Sequence, residues 1–354
     1  MTEPTLSVII PTLNEANTLP GLLLQLGRQQ HITLEVIVAD GGSQDNTRMT
    51  HQMQNARWIS APRGRGAQLH AGGMVATGRE LLFLHADSTL TAINQLALAV
   101  TALAQMRQHC GHDRVAGHFS LHFQDAAPAL ARPLRFHAAK SALNRKGCIN
   151  GDQGFLLGRR FYQELGGFNP QLAFMEDQDL AARIHQAGVW ITLPGILNTS
   201  ARRFQREGYG RRTLLNALIM TCHHTGWQAF LQQAPDLYRQ QDHTRPLQLA
   251  PFFRLLVHLN RMDGIQVAWQ RWRAIGRYAR QETWQIFFML DLLLALPAPM
   301  AQKAACPCLA FHDRFWKPCT RFPLFDLLAM GLVWLWLQSA RIWYTLREEY
   351  FHVS

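Results

Sequence analysis

An α/β fold with a parallel sheet, followed by a mainly helical extension, is predicted by three features. Apolar strand-like runs alternate with helix-like segments up to about residue 110. Three of those runs end on or lead into acids. Beyond residue 240 the strand signal stops and a tryptophan-rich helical pattern takes over. The strands are expected at Leu6–Pro11, Leu34–Ala39, Arg57–Ala61 and Glu80–Asp87. Between them, leucines at 19, 22, 23 and 26 form a helical stripe, Asp45-Asn46-Thr47 opens a second helix, and Gly66–Ala76 forms a third. Right-handed crossovers place the carboxyl ends of all these strands on one side. There the sheet delivers Asn14-Glu15, Asp40 and Asp87, where open α/β sheets bind their ligands.

Past this region Val115–Phe123 alternates as a strand, Pro133–Lys146 reads as a basic helix, and Gly154–Leu157 as a short strand. Helices follow at Arg159–Leu165 and at Glu176–Ala187, the second closed by Gly188. Gln241-Asp242-His243-Thr244-Arg245-Pro246 suggests a linker, dividing the chain into a domain at 1–240 and a helical, basic extension at 241–354. In the extension, Arg254–Arg280 carries six arginines against Asp263, followed by the apolar stretches Trp284–Leu296 and Phe322–Ala340. The last is near bilayer-spanning length, but Asp326 inside it would be costly in hydrocarbon, which favours an interfacial or buried helix.

Of the 354 residues 48% are hydrophobic and 17% charged, a composition that excludes a disordered chain. A net charge of +11 favours an anionic partner: a nucleotide, a phospholipid surface or nucleic acid. Met1-Thr2-Glu3-Pro4 enters a strand without a basic leader or apolar signal core, so a cytoplasmic chain is expected. Six cysteines are too sparse for a disulfide framework. Cys306, Cys308, His312 and Cys319 are a candidate zinc set at non-standard spacing.

Several segments could carry chemistry. Pro11-Thr12-Leu13-Asn14-Glu15 and Asp40-Gly41-Gly42-Ser43 suit a base or ribose, although Ser43 and Asp45 also read as helix caps. Neither matches a dinucleotide fingerprint or a Walker A loop. Arg63-Gly64-Arg65-Gly66 at a helix start could hold a diphosphate or be a solvated turn. His85-Ala86-Asp87, with alternate residues of a strand sharing a face, could present two ligands to magnesium or manganese; the alternative is a surface turn. Glu176-Asp177 opens a helix, where acids suit the dipole but could also supply a general base. Arg202 and Arg203 could neutralise phosphate or decorate the surface.

In order and spacing, Ser7–Glu15, Asp40–Ser43, Arg65-Gly66, His85–Asp87 and Glu176-Asp177 resemble the inverting glycosyltransferases of family 2, over about residues 5–240. Gly151-Asp152-Gln153-Gly154 and Ala201-Arg202-Arg203 narrow the resemblance to a bacterial group associated with radical-SAM and selenium-linked genes, some named for arsenosugar biosynthesis. The resemblance implies a GT-A fold, Rossmann-like with a mostly parallel sheet, and a nucleoside-diphosphate-sugar donor, UDP favoured, with Mg2+ or Mn2+. Pro11, Glu15, Asp40 and Gly41 would hold the nucleoside, and Arg65, Arg202 and Arg203 the diphosphate. Asp87 would be the final acid of the metal motif, where His85 replaces the first acid, and Asp177 would be the base. Gly151, Asp152, Gln153 and Glu176 would shape the acceptor side. The acceptor would carry a hydroxyl and could lie at a membrane, placing the enzyme peripherally on the inner face; nucleic acid is not an implied partner. A nucleotidyltransferase, or a nucleotide-binding membrane platform without transferase activity, are the alternatives.

Overall fold

The computed structural model describes residues 4–51, 56–241, 246–294 and 306–350, and divides the chain into two compact units, Met1–Arg202 and Arg203–Ser354. The fold class is the expected one: a central sheet flanked by helices, then a helical carboxyl-terminal part.

The first unit runs β1 (Leu6–Thr12), α1 (Leu19–Gly27), β2 (Leu34–Asp40), α2 (Thr47–His51), β3 (Arg57–Ser60), α3 (Arg65–Val75) and β4 (Glu80–Phe83). It continues through β5 (Thr89–Leu90), α4 (Gln95–Cys110), β6 (Val115–Gln124), α5 (Pro128–Ser141), β7 (Phe155–Gly158), α6 (Arg159–Glu164), α7 (Glu176–Ala187) and β8 (Val189–Ser200). The eight strands lie in the order β3-β2-β1-β4-β7-β6-β8-β5. β3 to β4 form the parallel block, β7 runs antiparallel to both β4 and β6, and β8 pairs parallel with β6.

Period-two alternation fills both faces of this sheet. Val8, Ile10, Leu82 and Leu84 join Leu19, Leu22 and Leu26 of α1 and Leu96 and Leu103 of α4 on one side. Ile9, Leu81 and Phe83 face the other way, into Leu69, Tyr162, Phe168, Leu180 and Ile184. Each fully buried side chain of this size contributes roughly 2 kcal/mol. Glu80, a charge inside the sheet at 1% exposure, receives both Nη groups of Arg107 at 2.6 and 2.8 Å.

One expectation is corrected here. β4 ends at Phe83, so His85 and Asp87 lie in the following turn, closed by Ser88 N–H donating to the His85 carbonyl at 3.1 Å, and do not share a strand face. The twelve-residue strand β8, with Pro194-Gly195 in its middle, had no assignment from sequence. The structure absorbs that pair as an irregularity opposite His118–Ser120, with Gly195 at φ +91°.

The second unit takes in most of α8 (Arg202–Glu207), then α9 (Tyr209–His224), α10 (Gln228–Arg239), α11 (Ala250–Met262), α12 (Gly264–Gln281) and α13 (Trp284–Leu294). It ends with α14 (Pro307–Phe311), a π-helical turn over His312–Trp316, α15 (Lys317–Cys319) and α16 (Pro323–Tyr350). Helices α9 and α10, assigned from sequence to the first domain, belong to this unit by their contacts. Composition changes near residue 240, but packing divides earlier; of the expected linker, residues 242–245 lie outside the described residues, as do residues 295 and 296 of the first apolar stretch.

Close approach of α12 and α16 requires Gly276, where a Cβ would run into the Asp326 carbonyl and meet Met330 Cβ at 2.8 Å. Asp326 itself is buried and paired with Arg280 at 2.6 Å and Arg277 at 3.3 Å. The zinc set is not assembled: among the described residues no three His, Cys, Asp or Glu side chains are grouped for a metal. His312 is committed elsewhere, Nδ1 to Asp313 at 2.9 Å and Nε2 to Thr283 Oγ1 at 3.3 Å.

Candidate active site

β1 and β2 pair in parallel with Thr12 opposite Asp40, so their carboxyl-terminal loops start side by side. Asn14, in the left-handed region at φ 58°, donates its N–H to Ser43 Oγ at 2.9 Å and accepts Gln44 N–H on Oδ1 at 2.8 Å. Glu15 N–H donates to Thr47 Oγ1 at 2.8 Å and Ala16 N–H to Asp45 Oδ2 at 3.2 Å. Asp45 also accepts the N–H of Thr47 at 2.9 Å, at the start of α2. Two loops about thirty residues apart are thus locked into one surface.

Asp40 sits at the centre of that surface. Its Oδ2 accepts the N–H groups of Gly42 and Ser43, both at 3.0 Å, and its Oδ1 accepts the hydroxyls of Thr12 and Ser43. A carboxylate has about four acceptor positions. All are filled from within, so Asp40 organises its own loop. Pro11 and Gly41 flank it, and Gly41 is held against Gln68, where a Cβ would lie 3.0 Å from the Gln68 amide carbon. Glu15 accepts the Thr18 hydroxyl at 2.6 Å and meets Arg202 at 3.6 Å, joining residues from opposite ends of the unit. Arg203 opens the second unit, within electrostatic reach of Tyr238 there.

The other half of the site is built on the start of α7. Met175, just before it, holds φ 67°, an uncommon conformation for a non-glycine residue and one that clusters at functional sites. It turns Glu176 inward, at 1% exposure, onto Arg65 Nε of α3. Arg65 makes no hydrogen bond through its Nη groups to any described residue, so they are available to an anion. Gly66 permits this approach, since a Cβ there would meet the Asn169 carbonyl at 2.9 Å and Glu176 Cβ at 3.0 Å.

Asp177, the next residue, is half-buried. Its Oδ2 accepts Gly151 N–H and its Oδ1 accepts Gln178 N–H, each at 2.8 Å. A Cβ on Gly151 would lie 3.3 Å from Asp177 Oδ2 and 3.4 Å from His85 Nε2, so the turn after β4, the Gly151–Gln153 turn and α7 converge on one spot. Asp152, beside it, has a buried Oδ1 with no hydrogen-bond partner.

Electrostatics follow from this crowding. Burial pushes the Asp152 carboxyl up to about 7, Asp177 and Asp87 add to that, and Arg65 opposes it. Burial likewise raises Glu176, against the pull of Arg65 and with the push of Asp177. Arg65 is itself desolvated, but Glu176, Asp177 and Asp152 outweigh that and hold it charged.

Among the described residues, no three candidate ligands form a ready metal cage. The donor chemistry nevertheless fits a hard cation. Asp87 and Asp152 act on each other electrostatically, Asp152 has an orphaned oxygen, and magnesium takes only one or two protein carboxylates when a substrate phosphate completes its shell.

Of the expected residues, Pro11, Glu15, Asp40, Gly41 and Arg202 gather at the first loop pair, and His85, Asp87, Gly151, Asp152, Gln153, Glu176, Asp177 and Arg65 at the second cluster. Missed from sequence were two buried glutamines. Gln68 donates Nε2 to the carbonyls of Thr12 and Ala39 at 2.7 and 2.8 Å, and Gln178 donates to the Ile149 carbonyl at 2.6 Å and Asn150 Oδ1 at 2.9 Å. Gln178 carried a signal: it sits between two acids yet falls on the apolar face of α7 with Leu180 and Ala181.

The segment holding β1 to β7 can be matched to known proteins. Residues 7–160 match the family model "Glycosyl transferase family 2". Over that stretch, the chain is similar to the family 2 glycosyltransferases. It is 34% identical over 110 residues, 27% of this chain, to "PGL/p-HBAD biosynthesis glycosyltransferase" of Mycobacterium bovis BCG and of Mycobacterium tuberculosis. The match covers 41% of those relatives' length. Among solved structures it is similar to glucosyl-3-phosphoglycerate synthase of Mycobacterium tuberculosis in complex with Mn2+, UDP and glucosyl-3-phosphoglycerate, at 20% identity and TM-score 0.40, over 56% of this chain and 70% of the other. It is also similar to the mannosyltransferase PcManGT of Pyrobaculum calidifontis in complex with GDP-Man and Mn2+, at 18% identity and TM-score 0.43, over 95% and 88%.

Proposed function

We propose that this chain is an inverting glycosyltransferase that moves a sugar from a nucleoside-diphosphate sugar to an acceptor hydroxyl. The observation that carries this reading is the convergence of Arg65, Asp152 and Asp177, from three separate segments, beside the turn after β4 in a chain matched to family 2. Pro11, Glu15 and Gly41 would take the nucleoside on the surface that Asp40 organises. Arg65, with Arg202 and Arg203, would neutralise the diphosphate. UDP is the favoured nucleotide by family resemblance.

Asp177 would accept the proton of the acceptor hydroxyl as its oxygen attacks the anomeric carbon. The bond from that carbon to the diphosphate breaks on the opposite face and its electron pair leaves with the nucleotide. The two N–H groups on Asp177 fix its orientation and leave each oxygen a further lone pair for the hydroxyl. Arg65 stabilises charge developing on the leaving group without having to reorganise, because Glu176 already positions it. Asp87, with His85 alongside, would hold Mg2+ or Mn2+, which supplies further charge neutralisation at the diphosphate. Gly151, Asp152, Gln153 and Glu176 would border the acceptor. A second assignment of the base has its own support: Asp152 has an orphaned oxygen and a carboxyl raised to about 7, near the pH at which a base works best.

The catalytic domain would span residues 1–240 and act in the cytoplasm, at the inner face of the membrane through the extension. Membership of the radical-SAM and selenium-linked subgroup is supported by Gly151–Gly154 and Ala201–Arg203 alone.

Turnover of a nucleotide-sugar panel with manganese, run on Asp177→Asn and Asp152→Asn, tests the reading. With Asp177 as base, Asp177→Asn loses about 10²–10⁴-fold in kcat while donor affinity stays within about threefold. If Asp152→Asn alone shows that loss, together with disappearance of a pH limb near 7, the base is Asp152. Full turnover in both variants overturns the site, and no turnover or binding of any nucleotide sugar by the wild type overturns the activity.

A further inference from the structure

The second unit contains an apolar cavity of about 280 Å³, bounded by Leu218, Leu256, Ile275 and Leu337 of α9, α11, α12 and α16. At one end it shares Val257, Arg261 and Arg341 with a neighbouring hollow of about 510 Å³, to which Arg254 and His258 also contribute. Together they make one groove, aliphatic and indole-lined at the closed end and cationic at the open end. The combined size falls in the range of small-molecule sites.

Three features say what fits there. Arg261 and Arg341 make no ion pair with any described residue, and three acids of the unit are already paired: Asp263 with Arg271, Glu348 with Arg211, and Asp326 with Arg277 and Arg280. The Arg261 and Arg341 guanidinium groups therefore suit an anion. Trp227, only 4% exposed, adds an indole wall to the cavity. Finally, Leu324, Leu328, Leu332, Leu335, Ile342 and Leu346 form a stripe along α16, each at least 50% exposed, which suits the headgroup boundary of a bilayer. By length and mean hydropathy of 1.3, Pro323–Glu348 is the one helix among the described residues apolar enough to cross a membrane, yet the ion pairs of Asp326 tie it to α12.

We propose that the second unit binds one anionic lipid, its chain in the cavity against Leu218 and Leu337 and its phosphate at Arg261 and Arg341. Aliphatic walls reward the chain by area removed from water, while the paired guanidinium groups select the phosphate. A nucleotide fits poorly, because the cavity end of the groove presents few polar groups to a base or sugar. This site is independent of the transferase reading and would stand if that reading failed.

Titration calorimetry of the full chain with short-chain lipids below their micelle concentration tests it. Dihexanoyl phosphatidylglycerol is expected to bind with one-to-one stoichiometry, at least tenfold more tightly than dihexanoyl phosphatidylcholine. Inorganic phosphate alone should give no saturable heat. Arg261→Glu with Arg341→Glu should weaken the phosphatidylglycerol at least tenfold and abolish its preference over the phosphatidylcholine. Val257→Trp, at the junction of the two hollows, should abolish both; should that variant fail to fold by circular dichroism, the smaller Val257→Phe takes its place. Equal affinity for the two lipids, phosphate binding as tight as the phosphatidylglycerol, or a plugged variant that still binds would each overturn the proposal.

Discussion

The two units differ in what they expose. In the first, charge is drawn inward, Glu176 on Arg65, Glu80 on Arg107 and Asp40 on its own loop, while Asp152 keeps an unpartnered oxygen. In the second, buried charges are paired as well, Asp326 with Arg280 and Glu348 with Arg211, but large apolar side chains face outward, as Leu332 at 69% and Trp343 at 61% exposure do. Burying charge is costly unless it is paired and hydrogen-bonded, so the first unit invests in holding a reactive geometry. An apolar face costs little inside a helix but leaves a patch that a partner or a membrane could cover. One region is therefore sensitive to single polar substitutions and the other should tolerate them.

The largest expected effect tests the first half of that contrast. Arg65→Ala would leave Glu176 buried without its cation, and removing one partner of a buried pair typically costs about 3–5 kcal/mol. Because the Arg65 side chain is 39% exposed, the lower end is expected, measured by urea denaturation at pH 7.5. Adding Glu176→Gln should recover part of the loss, since no uncompensated charge then remains. If the double variant is no more stable than Arg65→Ala, the pair is not energetically coupled.

Much of this arrangement was legible in the sequence because it follows from apolar periodicity. Runs such as Val8–Ile10 and Leu81–Leu84 mark strands covered on both faces, and a parallel sheet brings their ends together whatever the side chains do. Asp177 and Gly151 were recognisable as site residues, but nothing in sequence spacing shows that the N–H of one reaches the carboxylate of the other, 26 residues away. The shared-face argument for His85 and Asp87 failed since the ladder stops at Phe83, a boundary set by the partners of β4 and not by its own composition. Gln68 was invisible because a buried amide in a helix looks like a surface residue until the two carbonyls it satisfies are known.

A smaller effect separates a crowded acid from a merely acidic surface. Asp152 has a folded-state carboxyl raised to about 7 from an ordinary value of 3.8. Between those values the unfolded chain has released the proton and the native state keeps it, so native stability falls as pH rises from about 4 to 7 and stays lowered above. A rise from 3.8 to about 7 corresponds to a ceiling of about 4 kcal/mol, and partial solvent access should reduce this to about 2 kcal/mol. Asp152→Asn removes the penalty. The variant should match the wild type in denaturant midpoint at pH 4 and exceed it at pH 8. Parallel midpoints across that range would show that Asp152 ionises as an ordinary surface acid.

The smallest effect probes the second unit. Leu332→Lys places a charge in the middle of the exposed stripe of α16, where only 11% of the most apolar window is buried. Surface substitutions that break no packing change stability by about 0.5 kcal/mol or less, so the midpoint in detergent-free buffer should barely move. A loss above about 1 kcal/mol that grows with protein concentration would mean a second copy covers the stripe. With no such loss, the same variant should float less well with phosphatidylglycerol vesicles, because a lysine at that depth must be dragged toward the headgroups. Unchanged stability with weakened flotation assigns the apolar face to a bilayer, and unchanged flotation removes the stripe from the contact.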